Sequence, residues 1–149
     1  MPFRAPLEEY SFLFDKVVGF SQVSETHRFE ESTPDVVEAI LNEAGRMCED
    51  VMSPLQRSGD QSPAVLENGV VRTSPGFAEG YKAIADGGWV SIAASPQYGG
   101  MGLPMTVTTS VNEMMSASCL SLQLNPLMTQ GQIEALEHHA SDEIKNIYL

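Results

Sequence analysis

An all-α helical bundle carrying one small β-hairpin is the fold class this sequence predicts. Three observations predict it. Apolar residues recur at helical spacing in one segment after another, the connections between those segments are short, and a single Asn-Gly pair stands between two short β-branched runs. Because 42% of the 149 residues are hydrophobic, the chain can bury one real core and does not read as disordered.

The elements follow in order. "PLEEYSFLFDKVV" places Leu7, Tyr10, Phe14 and Val17/Val18 on one helical face, and "GFSQVSETHRFEEST" reads as a linker. Ser32 or Thr33 is positioned to cap the next helix, with Pro34 in its first turn. Its apolar stripe is Val36/Val37, Ile40/Leu41, Ala44, Met47/Cys48, Val51 and Leu55, and Pro54 is expected to kink or end it. Asn68-Gly69 in "AVLENGVVRT" predicts the hairpin. A third helix starts at Ser74-Pro75, turns Phe77, Tyr81, Ile84 and Ala85 to one side, and stops at Gly87-Gly88.

Pro104 opens a long helix whose inward face is Val107, Val111, Met114/Met115, Ser118 and Leu122. Another helix is expected from about Asn125, around Leu127/Met128, Ile133 and Leu136. The last, "SDEIKNIYL", has Ser141 as its cap and is expected to turn Ile144, Ile147 and Tyr148 inward. Residues 1–30 thus form an extension of helix and linker, and 31–149 form a helical domain.

Charge and motifs narrow the function. A net charge of −12 repels nucleic-acid phosphates and anionic lipid, so neither is an expected partner. Residues 114–133 carry no charge, yet their serines, glutamines, asparagine and proline argue against a membrane span and for burial. Cys48 and Cys119 are too far apart to read as a redox or metal pair, and the first residues lack a signal-peptide pattern; a cytoplasmic protein with reduced thiols is expected.

"SPQYGGMGLP" (95–104) invites comparison with a phosphate loop. Gly100-Met101-Gly102 supplies only the first two glycines of a dinucleotide fingerprint, and no Lys or Arg lies between Lys82 and Lys145. A backbone-shaping turn bracketed by Pro96 and Pro104 is the better reading. Glu134 and His138 share a helical face but make only two metal ligands, so no metal is expected. Cys119 reads as packing and no nucleophile elbow is present, so no catalytic residue is assigned.

"GGWVSIAASPQYGGMGLP" (87–104) resembles the Gly-Trp … Pro-x-x-Tyr-Gly-Gly-x-Gly-Leu signature of acyl-CoA dehydrogenases, at Gly88, Trp89, Pro96, Tyr98, Gly99, Gly100, Gly102 and Leu103. "IEALEHHASDEIKNIYL" is similar to that family's Gly-Ser-x-x-x-Lys-x-x-Tyr-Leu ending, with Ala140 in place of the glycine and Ser141, Lys145, Tyr148 and Leu149 matching. Asn112-Glu113 is similar to an acidic position between them, and "YSFLFDKVVGF" resembles the extension of a bacterial branch that includes the 3-methylmercaptopropionyl-CoA dehydrogenases.

The resemblance implies an N-terminal α-domain. The family's middle β-domain, C-terminal α-domain, FAD-contacting Thr-Glu-Pro-x-x-Gly-Ser segment and catalytic glutamate would be absent from these residues. It implies FAD as cofactor, acyl-CoA as substrate and a homo-oligomer at full length. In the family reaction a base takes the α-proton and a hydride passes from the β-carbon to flavin. The chain alone is then expected to be inactive and not to hold FAD tightly. Its contribution would be one wall of the acyl pocket, with Leu124, Leu127, Met128 and Gly131 as the candidate lining residues. Ordinary core packing is the alternative for each of them. For the chain as a whole, the alternative is a stand-alone helical interaction or scaffold module.

Overall fold

The computed structural model describes residues 3–149. The expected all-α architecture with one hairpin is what it contains. Helix α1 (Leu7–Phe12) runs into a π turn over Leu13–Val18 and ends on left-handed Gly19. Tyr10 is buried, but Val17 and Val18 are exposed. The wider π turn rotates them off the face that a regular period assigns them.

The expected linker is partly ordered. It contains a short helix α2 (Ser21–Ser24) and a 3-10 turn over His27–Phe29, and Phe20 is buried against the core, stacked on Phe14 at 5.1 Å between ring centres.

Helix α3 (Pro34–Met47) begins where Pro34 predicted, but Thr33 makes no side-chain cap; its hydroxyl bonds the Asp35 carboxylate instead. Val36 is exposed, so the stripe is narrower than expected and centres on Val37, Leu41, Ala44 and Cys48. Pro54 does not end the helix. The backbone widens into a π turn over Cys48–Met52 and continues as α4 (Ser53–Gln61) with Pro54 in its first turn. Widening there accommodates the missing N–H and the ring, which clash with a regular α-turn. Glu49 ties the extension to this helix: its carboxylate accepts from the Ala5 amide at 2.9 Å and from Arg4 at 2.6 Å.

Strands β1 (Val65–Glu67) and β2 (Val70–Arg72) pair antiparallel, Leu66 opposite Val71. Asn68 and Gly69 both take positive φ, as the two-residue turn requires. Helix α5 (Phe77–Asp86) buries Gly80 and Ile84, while Tyr81 and Ala85 face outward. A Cβ at Gly80 would come within 2.5 Å of Leu55, so glycine is what fits on this face.

Helix α6 (Met105–His139) is interrupted at Cys119, whose φ −159° and ψ 86° are not helical. The Asn112 amide reaches Gln130 at 2.8 Å. In a straight helix residues that far apart would stand about 27 Å apart. The chain therefore reverses at Cys119, and 105–118 and 120–139 run antiparallel. Two helices were expected here, but the break comes earlier than Asn125. The expected face of the first half, Val107, Val111, Met114/Met115 and Ser118, is buried as read.

Helix α7 (Asp142–Tyr148) carries the expected Ser141 cap on the Ile144 amide. Ile144, Ile147 and Tyr148, expected inward, are exposed. Among the described residues no helix is long and apolar enough to cross a membrane.

Candidate functional site

The loop 95–104 is a self-contained turn. Pro96–Tyr98 form one 3-10 turn, and Gly99 and Gly102 take φ of 82° and 64°. Gly100 lies so close to the Ala94 carbonyl that a Cβ would come within 2.2 Å of its oxygen. Every amide from Gln97 to Leu103 is already donated within the turn or to the segment just before it: Gln97 to the Ser95 hydroxyl, Tyr98 and Gly100 to the Ser95 carbonyl, Gly99 to Pro96, Met101 to Ser91, Gly102 to Ala94 and Leu103 to Ile92. A phosphate cradle needs free amides converging on an anion. None is left here, so the loop does not fit the diphosphate of a flavin or of coenzyme A. The loop shapes the chain between buried Trp89 and α6.

Two side chains of α6 hold that segment. The Glu137 carboxylate accepts from the Ser95 amide at 2.8 Å, and the Gln130 amide donates to the Trp89 carbonyl at 3.2 Å. Gln130 and Gln123 both also donate to Asn112, at 3.3 and 3.0 Å. Asn112 thus bridges the two halves of α6 opposite buried Pro126. Gln123 is completely buried, and its carbonyl oxygen has no donor among the described residues. Sequence reasoning missed this clamp. The available signal was two glutamines, seven residues apart, on one face of an uncharged segment.

The opposite face of 120–139 carries the candidate lining residues. Leu120 is 55% exposed, Leu124 52%, Leu127 43% and Met128 68%, and a Cβ on exposed Gly131 would meet nothing within 4 Å. Their spacing of four, three, one and three residues is that of one helical stripe. The part of the uncharged segment after Cys119 is therefore buried on its Leu122, Gln123 and Pro126 side only. None of the candidate lining residues is fully buried within the described chain. The stripe borders an open groove against α4 that includes Leu120, Ser121 and Leu124 with Arg57.

Other groups carry no chemistry of their own. Burial pushes the Cys48 thiol up to about 11, against a smaller opposing effect of the Ser118 hydroxyl. Burial, and then the charge of Glu113, push the Tyr10 phenol above its usual range, although the Tyr10 hydroxyl has no partner at hydrogen-bond distance among the described residues. His138 and Glu134 are both exposed, and among the described residues no group of three possible ligands could hold a metal ion.

A family model described as "Acyl-CoA dehydrogenase, N-terminal domain" matches residues 34–149. Over all of its 149 residues the chain is 35% identical to 3-methylmercaptopropionyl-CoA dehydrogenase of Ruegeria pomeroyi, and it spans 25% of that protein's length.

Proposed function

The chain belongs to the acyl-CoA dehydrogenase family, and from that premise we propose that it is the N-terminal α-domain of a flavin-dependent enzyme that desaturates an acyl-CoA thioester. In this reading residues 1–30 are an added extension and 31–149 the domain proper. The chain supplies shape and no proton or hydride chemistry. Leu124, Leu127, Met128 and Gly131 form one wall of the acyl pocket. Leu120 begins the same stripe. The Gly88, Trp89, Pro96, Tyr98, Gly99, Gly100 and Gly102 turn orients the helix that carries it. The chain alone is inactive.

The single observation that carries this reading is the exposed apolar stripe on a helix whose other side is core. Four large apolar side chains, each about half exposed, forfeit roughly half of the 1.5–3 kcal/mol that full burial of each would give. A surface of this kind marks a place where something apolar sits. FAD belongs to the proposed full-length enzyme. The turn at 95–104 offers it no phosphate contacts, so its grip falls to residues outside this turn.

The test is a chimera in which this chain replaces the corresponding first quarter of the Ruegeria relative. Leu127→Phe should lower kcat/KM for the longer of two acyl thioesters about tenfold, with the shorter little changed, since filling the end of a hydrophobic pocket is worth 1–3 kcal/mol. An identical chain-length profile would remove Leu127 from the pocket wall. The same stripe also suits a stand-alone module that docks an apolar partner. The native mass of the protein, read with an antibody against this domain, separates the two readings. A band near 16.2 kDa favours the module, and a band several times larger favours the enzyme domain.

A further inference from the structure

The N-terminal extension does more than lengthen the chain. The family match begins at Pro34, yet the residues before it fold back onto α3 and form a half-open cleft of about 680 Å³ with it. That volume lies within the range of small-molecule sites, roughly 300–1,000 Å³. Leu7, Phe14 and Phe20 from the extension meet Val37 and Leu41 from α3 as its apolar lining. Its polar lining includes three carboxylates, Glu8, Asp15 and Glu38, and no cationic side chain. Lys16 pairs with Asp15 at 2.6 Å, while Glu8 and Glu38 have no ion pair among the described residues.

We propose that this cavity is a second ligand site, distinct from the α6 stripe, that takes a small amphipathic cation: an apolar body carrying an alkylammonium head. Half-buried Phe14, stacked on buried Phe20, suits an apolar body and attracts a cation to its accessible side. The carboxylates at the rim supply the opposite charge. An anionic ligand meets there the two carboxylates Glu8 and Glu38, unpaired among the described residues, and a chain of net charge −12, so acyl-CoA itself is a poor occupant. A second copy of the chain is repelled for the same reason. The two walls come from the extension and from the family domain, so this site exists only where the extension is present.

The experiment titrates the isotope-labelled chain with hexyltrimethylammonium and follows backbone amide NMR signals. Saturable shifts are expected at Ser11, Ser21 and Asn42, which line the cavity. Heptanoate, of similar apolar size and opposite charge, should bind about tenfold more weakly or not at all. The double variant Glu8→Gln, Glu38→Gln should weaken the cation about fivefold to tenfold, from two exposed charge interactions. Both side chains are exposed, so the variant keeps its fold. Leu127→Ser should leave the affinity unchanged. Shifts confined to residues 120–131, equal binding of heptanoate, or indifference to the double variant would each overturn the proposal. So would equal binding of Nα-acetyl-lysine methylamide, which would assign the cavity to a lysine side chain of a partner protein.

Discussion

Three glycine-to-alanine substitutions should differ in sign as well as size. At Gly100 the new Cβ would lie 2.2 Å from the Ala94 oxygen and 2.4 Å from its carbonyl carbon, roughly 1 Å or more inside normal non-bonded contact. Both atoms are backbone, so no rotamer change relieves the clash. Overpacking of this kind costs about 1–3 kcal/mol. The shift that relieves it must also stretch the Gly100 bond to Ser95 and the Gly102 bond to Ala94, each worth about 1 kcal/mol. Gly100→Ala should therefore destabilise the chain by about 3–5 kcal/mol. Gly99 has open space but a φ of 82°, so Gly99→Ala should cost only about 1–2 kcal/mol. Gly131 has open space inside a helix, and Gly131→Ala should stabilise by about 0.5–1 kcal/mol. Urea unfolding followed by fluorescence of the single tryptophan, buried Trp89, reads all three. If Gly100→Ala proves no more costly than Gly99→Ala, the close packing of the loop on Ala94 is wrong.

Gln130→Ala removes the link among Asn112, Gln130 and the Trp89 carbonyl. It should cost about 2–3 kcal/mol and speed amide exchange on both sides of the Cys119 reversal, as three part-buried bonds are lost; a cost below the noise of the unfolding curve would deny the clamp. Cys48 has its folded-state pKa raised to about 11, so the unfolded chain gives up its proton first. The Cys48 contribution to stability should be flat below about pH 8.5 and then fall by roughly 2–3 kcal/mol toward pH 11, on top of the loss from the raised Tyr10 phenol. Cys48→Ala should flatten that slope even though it lowers stability overall. Tyr10→Phe deletes a buried hydroxyl that has no partner, so its unfolding midpoint should stay within about 1 kcal/mol of the parent or rise; a loss above 2 kcal/mol would mean the hydroxyl is bonded to Glu113. The triple variant Leu124→Ser, Leu127→Ser, Met128→Ser should change stability by no more than about 0.5 kcal/mol per exposed site while lowering hydrophobic-dye binding. A collapse in stability would place these residues in the core.

Most of the helical architecture was legible from local signals. Proline at the start of α3, Asn-Gly at the hairpin, glycine after α5 and serine before α7 act within a few residues, and each landed where its chemistry indicated. The inward face of 105–118 was legible too, because its stripe is broad and regular. Sequence reasoning failed where the backbone left the regular helical period or a distant side chain arrived. Val17 and Val18 lie in a π turn, Pro54 follows a widening one turn before it, and on α5 it is Gly80, not Tyr81, that meets Leu55.

The sequence by itself determined that Leu124, Leu127, Met128 and Gly131 share one helical face, because a period of 3.6 residues is a local property. It equally determined that 95–104 must be a glycine-dependent turn. Only the tertiary structure decided that the shared face is open, that the loop's amides are already used, and that the helix doubles back at Cys119 under the Asn112 clamp. Periodicity states which residues point the same way. Whether that direction holds protein, ligand or water depends on segments that arrive from elsewhere in the chain.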